Sequence, residues 1–347
     1  MRTTYDSGAF PLTKFRLPKD LDVFPSTSLR LLLGLLNLKR HYSRIMKLSS
    51  NIVICLLVAA PLAGCTSSEN SVSTSSTVIT TTTAAPPANN CKPGNPFLPN
   101  CDFSNQDLTG ANFAGANVSL ANFSGANLTG ADFSGATATG ATFFGATLKS
   151  TKFFRANLSQ VDFRNSKFLY QASLSETIAQ QTKFVGADLR NPDAEGYVVW
   201  GSSDFSRADF TGVDIYNFHC EGCNFDDAIF TDATLTAANF GLSIDDRPTT
   251  FRRTTAQNAN FFYANFSKAI IENSDFSGSK SENASFFSAT LRNVNFSNAN
   301  VQLANLDNAI LTDVTFKGGT WENATGRQSA ELCRVVPPMG SIINGDC

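Results

Sequence analysis

ANFSGANLTGADFSG, residues 121–135, says one thing three times. An apolar residue, Phe123, Leu128 or Phe133, falls at every fifth place, and an Ala stands two places before it. The remaining places are small or polar. A helix needs apolar residues at i, i+3, i+4 and i+7, and a half-buried strand needs strict alternation. A five-residue beat keeps step with neither, so an internal repeat has to be considered first. Within Ala131-Asp132-Phe133-Ser134-Gly135, Ala131 and Phe133 lie two apart, on one face of a short extended stretch, while Asp132 points the other way. Gly135 then allows a turn. One unit reads as one side and one corner of a coil.

The number of sides is legible too. The unit centres run Phe103, Leu108, Phe113, Val118, then Phe123, Leu128, Phe133, Ala138, then Phe143, Leu148, Phe153, Leu158. Phe, Leu, Phe and an aliphatic residue recur every twenty positions. A coil of four sides places Phe103, Phe123, Phe143 and Phe163 above one another at about 4.8 Å, the spacing of hydrogen-bonded strands.

With this A-[DN]-[LF]-x-x unit, sustained from Cys101 to about Trp321, the chain resembles the pentapeptide-repeat family. The resemblance implies an all-β fold, a right-handed quadrilateral β-helix in which the unit centre and the small residue two before it point inward. The handedness comes from the resemblance alone. About ten coils at strand spacing imply a rod on the order of 50 Å long. The 30 Phe, 23 Gly and 16% charged residues suit a Phe-filled coil with polar corners.

The beat slips between Phe168 and Leu174, between Leu189 and Phe205, and between Phe240 and Phe251. Interruptions are thus expected near 169–173, 190–203 and 243–250. In a solenoid such insertions map to surface loops. The second carries Tyr197 and Trp200 beside Pro and Gly; the third carries Asp245, Asp246 and Arg247. These five residues are the candidates for contact with a partner, set against the plain reading that loops tolerate insertions without a purpose.

The amino-terminal region reads as an address. Met46-Lys47 opens a basic start, residues 52–62 are apolar, and Leu62-Ala63-Gly64-Cys65 closes the run, which is too short to span a membrane. The segment resembles a bacterial lipoprotein signal, which implies cleavage before Cys65 and lipid on that cysteine. Residues 46–64 are then the signal, and 1–45 either an extended leader or sequence upstream of a start at Met46. Residues 65–90, rich in Ser and Thr, cannot bury a core and read as a tether. The expected address is extracytoplasmic, on a bacterial membrane, with an envelope protein or a surface ligand as partner.

Cysteine usage agrees with export. Beyond Cys55 and Cys65 six cysteines remain, an even number. Cys91 and Cys101 bracket the segment before the first coil and Cys333 and Cys347 the segment after the last, where a solenoid needs its ends closed. Residues 91–101 and 324–347 are accordingly read as caps around a repeat region spanning 102–323. As disulfides, the two pairs would contribute about 3 kcal/mol each through chain entropy. Cys220 and Cys223, in His219-Cys220-Glu221-Gly222-Cys223, fall on inward places of the register while His219 points outward. Buried thiols are the leading reading there; a disulfide and a metal or redox site are the rivals.

From Thr66 onward Asp and Glu exceed Lys and Arg by eight. An acidic rod fits solubility, since Asp and Asn before each centre can bond backbone at a corner. It also fits mimicry of nucleic acid, because some members of the resembled family look like DNA to topoisomerases; an extracytoplasmic address removes that target. No basic stripe for nucleic acid, phosphate-cradling Gly loop, nucleophile motif or cofactor signature is found. Neither catalysis nor a metal is expected. The sequence reads as a passive scaffold or binding surface.

Overall fold

A computed structural model describes residues 91–168, 172–190, 198–345 and 347. They lie in the second of the chain's two units, Thr80–Cys347. Each five-residue unit lays one short extended side against the equivalent unit of the next coil. Phe103 N–H donates to Asn122 O (2.7 Å), and Asn122 N–H donates to Cys101 O (2.8 Å). On one side of the coil Phe97, Asn117, Thr137, Asn157, Ile178, Asp204, Asn224, Thr250, Ile270, Thr290, Ile310 and Glu331 pair in unbroken parallel succession. Eleven steps of strand spacing give a rod on the order of 50 Å long. No helix occurs among the described residues.

Most pairings are too short to count as strands. Seven reach that length: β1 (Val198–Val199), β2 (Phe218–His219), β3 (Thr250–Arg252), β4 (Ile270–Glu272), β5 (Thr290–Arg292), β6 (Ile310–Thr312) and β7 (Glu331–Cys333). β1 pairs with β2, and β3 to β7 form a parallel sheet in sequence order. β7 adds a rung beyond residue 323, so the coil continues into the segment read from sequence as a carboxy-terminal cap. The actual closure is the antiparallel bridge of Val335 with Ile343.

The four sides take their centres from Leu98, Val118 and Ala138 (side one), Phe103, Phe123 and Phe143 (side two), Leu108, Leu128 and Leu148 (side three), and Phe113, Phe133 and Phe153 (side four), all buried. Side two holds the expected ladder. Phe103, Phe123, Phe143, Phe163, Phe184, Phe210 and Phe230 stack at 5.0, 4.8, 5.1, 5.4, 4.7 and 4.9 Å between centroids. Side four meets it edge-on, as where Phe113 approaches Phe123 at 5.4 Å and 82°. Stacks along the axis and edge contacts across it are both favoured arrangements of aromatic quadrupoles.

Each corner is a turn closed by a bond between units, such as Ala111 N–H to Leu108 O (2.9 Å). The outward residue of the side completes it: Asp102 Oδ1 accepts from Ser104 N–H (3.0 Å) and Asn122 Oδ1 from Ser124 N–H (3.0 Å). Asn122 Nδ2 also donates to Asp102 Oδ1 one coil back (3.1 Å). The alternation of Asp and Asn along the sequence thus serves both the corner and the stack.

Candidate binding surface

A coil filled by its own side chains leaves only corners and outward ladders for function. The largest departures are the insertions. Residues 191–197, with Tyr197, lie outside the described residues, as do Cys65, the signal and the tether.

Trp200 differs from expectation. It was expected in an exposed loop; instead it is fully buried and occupies the side-four centre of its coil, five residues before Phe205. Its ring meets Phe218 edge-on at 5.3 Å, and its indole N–H donates to Ala172 O (3.2 Å). The insertion therefore ends before β1, and Trp200 cannot contact a partner. The signal in the sequence was the five-residue step back from Phe205. Val198 and Val199, in place of a small residue and an Asp or Asn, hid it.

The third insertion leaves the corner between sides four and one. Ser243 N–H donates to Arg247 O (3.0 Å) and Asp246 N–H to Ser243 O (3.0 Å), folding the loop on itself. Ile244 stands in solvent, and Asp245 pairs with Arg247 at 3.6 Å while both remain exposed. Of the residues singled out for this loop, Asp245, Asp246 and Arg247 are brought together at its tip. The loop's seat is the corner formed by Glu221 and Gly222. Gly222 N–H donates to Thr249 Oγ1 (2.9 Å), and a Cβ on Gly222 would lie 2.7 Å from Ser243 Cβ.

That corner also holds the pair Cys220 and Cys223. Both are buried, in keeping with their register, but they form a disulfide instead of two core thiols. The reason is the corner itself: a turn brings its first and fourth Cα atoms close, here to 5.5 Å, within disulfide range. His219 stands outward, with Nδ1 3.2 Å from Glu221 Oε1 and Nε2 3.2 Å from Asn217 Oδ1. Among the described residues no cluster of His, Cys, Asp and Glu is placed to hold a metal ion. Cys91 pairs with Cys101 and Cys333 with Cys347, one at each end of the rod.

Charge is organised along the corner between sides one and two. Arg252 bridges Asp226 (3.3 Å) and Glu272 (3.0 Å), and Glu272 also takes Arg292 (3.1 Å). Arg253 pairs with Asp227 at 2.6 Å, and Arg334 with Asp313. The hydrogen-bonded Arg253 guanidinium holds the Asp227 carboxyl below the ordinary range. Partial burial pushes Glu272 up, but its bonds to Arg252 and Arg292 outweigh that and leave it lowered. On the same corner a shallow depression of about 550 Å³ is lined by Gln160, Gln181, Lys183, Arg207 and Asp209. It lacks the apolar walls that enclose a small ligand.

The family model described as pentapeptide repeats in eight copies matches residues 95–125, 121–160, 152–191 and 203–241, and the pentapeptide repeat region matches 249–325, together more than half of the chain. No curated protein sequence is significantly similar. Among solved structures, HetL, a pentapeptide-repeat protein involved in regulation of heterocyst differentiation in the cyanobacterium Nostoc, is 22% identical. Its alignment covers 71% of this chain and 91% of that one, with a TM-score of 0.34. QnrB1, a plasmid-mediated fluoroquinolone resistance protein, is 20% identical, with 68% and 89% covered and a TM-score of 0.38. A thylakoid-lumen protein of Arabidopsis thaliana is 25% identical over 32% and 66%, with a TM-score of 0.19. On its repeats, its four-sided coil and the family models it matches, the chain belongs to the pentapeptide-repeat family.

Proposed function

We propose that this protein is a non-catalytic binding rod of the bacterial cell envelope, held to a membrane by lipid on Cys65, with an envelope protein or a surface ligand as its partner. The observation that carries this reading is the cysteine pairing. All six cysteines after Cys65 form disulfides, and such pairing persists in oxidising compartments and is rare in the cytosol. The Leu62-Ala63-Gly64-Cys65 run supplies the anchor. Residues 66–90, rich in Ser and Thr, are the proposed tether between the anchor and the rod. The convex rod offers binding along its length, and the depression lined by Gln160, Gln181, Lys183, Arg207 and Asp209 is shallow and open.

The alternative, an acidic mimic of DNA, is disfavoured by the corner between sides one and two. A mimic needs an unbroken run of negative charge, whereas Asp226, Glu272 and Asp227 are each matched by an arginine. Mass spectrometry of the protein from membranes tests the proposal. A mature chain starting at Cys65 with acyl groups, six alkylation-resistant cysteines and release to the soluble fraction on Cys65→Ala is the expected result. An unlipidated chain retained in the cytosol with free thiols overturns it.

A further inference from the structure

The corner between sides three and four carries bulky side chains that the fold does not use. Tyr216, Phe262, Tyr263 and Leu303 are 50, 38, 58 and 52% exposed. Backbone bonds set them in one column: Asn217 N–H donates to Thr236 O (3.0 Å), Ala237 N–H to Phe262 O (2.8 Å), Tyr263 N–H to Glu282 O (3.0 Å) and Asn283 N–H to Gln302 O (2.9 Å). Tyr216 thus stands two strand spacings from Phe262, and Leu303 two beyond Tyr263, roughly 10 Å in each case. The Phe262 and Tyr263 rings meet edge-on at 4.5 Å.

Tyr263 and Leu303 both have φ of +59°, a conformation that disfavours a residue with a Cβ, and they share it with the second place of other corners, held by Leu120, Arg155, Gln160 and Lys268 among others. What sets this column apart is a carboxylate oxygen. Between them, Glu282 Oε1 accepts from Asn300 Nδ2 (2.6 Å), while Glu282 Oε2 is buried without a hydrogen-bond partner.

We infer that this corner binds a neutral, extended polysaccharide lying along the rod. Pyranose rings in an extended glycan recur at an interval close to strand spacing, so the polymer and the coil share a register. Their C–H faces pack on the aromatic rings. Their hydroxyls meet the ladders on either side, Thr234, Asn260, Lys280 and Asn300 on side three and Asn239, Asn265 and Ser285 on side four. Asn260 already commits its Oδ1 to Phe262 N–H (3.0 Å), which leaves its amide hydrogens as donors. After a change of rotamer, Glu282 Oε2 accepts a sugar hydroxyl.

Other occupants fit less well. The convex corner encloses no small molecule. Polar Thr236, Glu282 and Asn283 interrupt the apolar column, unlike the contiguous apolar centre of a protein interface. Residues 191–347 hold 19 Asp and Glu against 10 Lys and Arg, which repels an anionic polymer. The inference needs neither the lipid nor the membrane, so it stands or falls apart from the proposed address.

Affinity electrophoresis of the oxidised protein through gels containing hydroxyethylcellulose, dextran or mannan, with alginate as the anionic control, tests it. Retardation is expected in at least one neutral polymer and not in alginate. Tyr216→Ser, Phe262→Ser and Tyr263→Asn should each weaken binding about tenfold, and together abolish the shift, with an unchanged circular dichroism spectrum. If the triple variant misfolds, Tyr263→Asn alone carries the test. Migration unaffected by all three neutral polymers, retardation confined to alginate, retardation that survives the substitutions, or capture of a protein through this corner without glycan binding would each overturn the inference.

Discussion

Replacing Phe210 by Ala removes the sixth of seven rings in the side-two ladder. Phe210 is fully buried and stacks on Phe184 at 4.7 Å and 8°, and on Phe230 at 4.9 Å and 4°. It also meets Phe205 edge-on at 5.6 Å. Loss of a buried Phe side chain costs about 3–5 kcal/mol, part of it from the cavity left behind. Phe210→Leu, which puts on side two the residue that side three uses, should cost about 1 kcal/mol. Phe103→Ala at the end of the ladder breaks one stack instead of two and should cost about 1 kcal/mol less than Phe210→Ala.

In a solenoid each coil touches only its neighbours, so the damage should be local. Hydrogen exchange reads this directly. Amides from Lys183 to Ile229 in Phe210→Ala should exchange roughly 10²–10⁴ times faster, while those near Asn117 keep their protection. Less than a tenfold change at the mutated coil, or equal loss along the whole rod, would refute the nearest-neighbour account of stability.

Removing Cys220 and Cys223 together, as Ala, should cost about 2 kcal/mol, since the closed loop is short, and should raise exchange in the 243–248 loop seated on that corner. Gly222→Ala should loosen the same loop by about 1–2 kcal/mol, because φ is +69° and Ser243 Cβ blocks the new methyl; exchange at Arg247 measures it. Tyr263→Asn should stabilise the rod by about 1 kcal/mol, seen as a higher urea midpoint, because Asn tolerates the left-handed backbone that Tyr does not. Acid should weaken the corner between sides one and two. The folded carboxyls of Asp227 and Glu272 lie below their unfolded values, so their contribution is complete above about pH 5 and is lost as pH falls through the folded values. Arg253→Gln should flatten that part of the pH–stability curve measured by urea titration.

The regular coils were open to reading because one beat encodes three physical needs at once. The place of Phe123 fills the core, the place of Ala121 admits its neighbours, and Asn122 caps the corner. Sequence reading failed where one need was met by an unusual residue. Trp200 fills a core place that smaller centres fill elsewhere, and Val198 and Val199 precede it, so the unit carried no recognisable mark. The pair Cys220 and Cys223 was placed correctly in register, yet register alone does not report distance. Only the corner's turn, which brings Cα atoms three apart in sequence within 5.5 Å, converts two inward cysteines into a disulfide. The exposed column of Tyr216, Phe262 and Tyr263 was equally invisible, since its members are 47 residues apart at most and meet only because the coil returns to the same corner.

This return explains where function can reside on such a fold. In each unit the residues at the places of Ala121 and Phe123 are committed to the core, and the residue between them to the turn and to the next coil. Substitution there acts on stability before it acts on anything else. Only the two corner residues are unconstrained except by φ, and the coil brings them back into line every twenty residues. A property written at one corner residue therefore becomes a column, and an insertion there leaves the stack paired on both sides, as the bonds flanking 241–249 show. Alternating arginines and carboxylates on one corner, aromatic side chains on another, and a loop seated on a disulfide at a third are three separate uses of the same freedom. Exchanging the corner residues of one coil while leaving its centres untouched should alter binding without altering the fold, whereas the converse exchange should do the opposite.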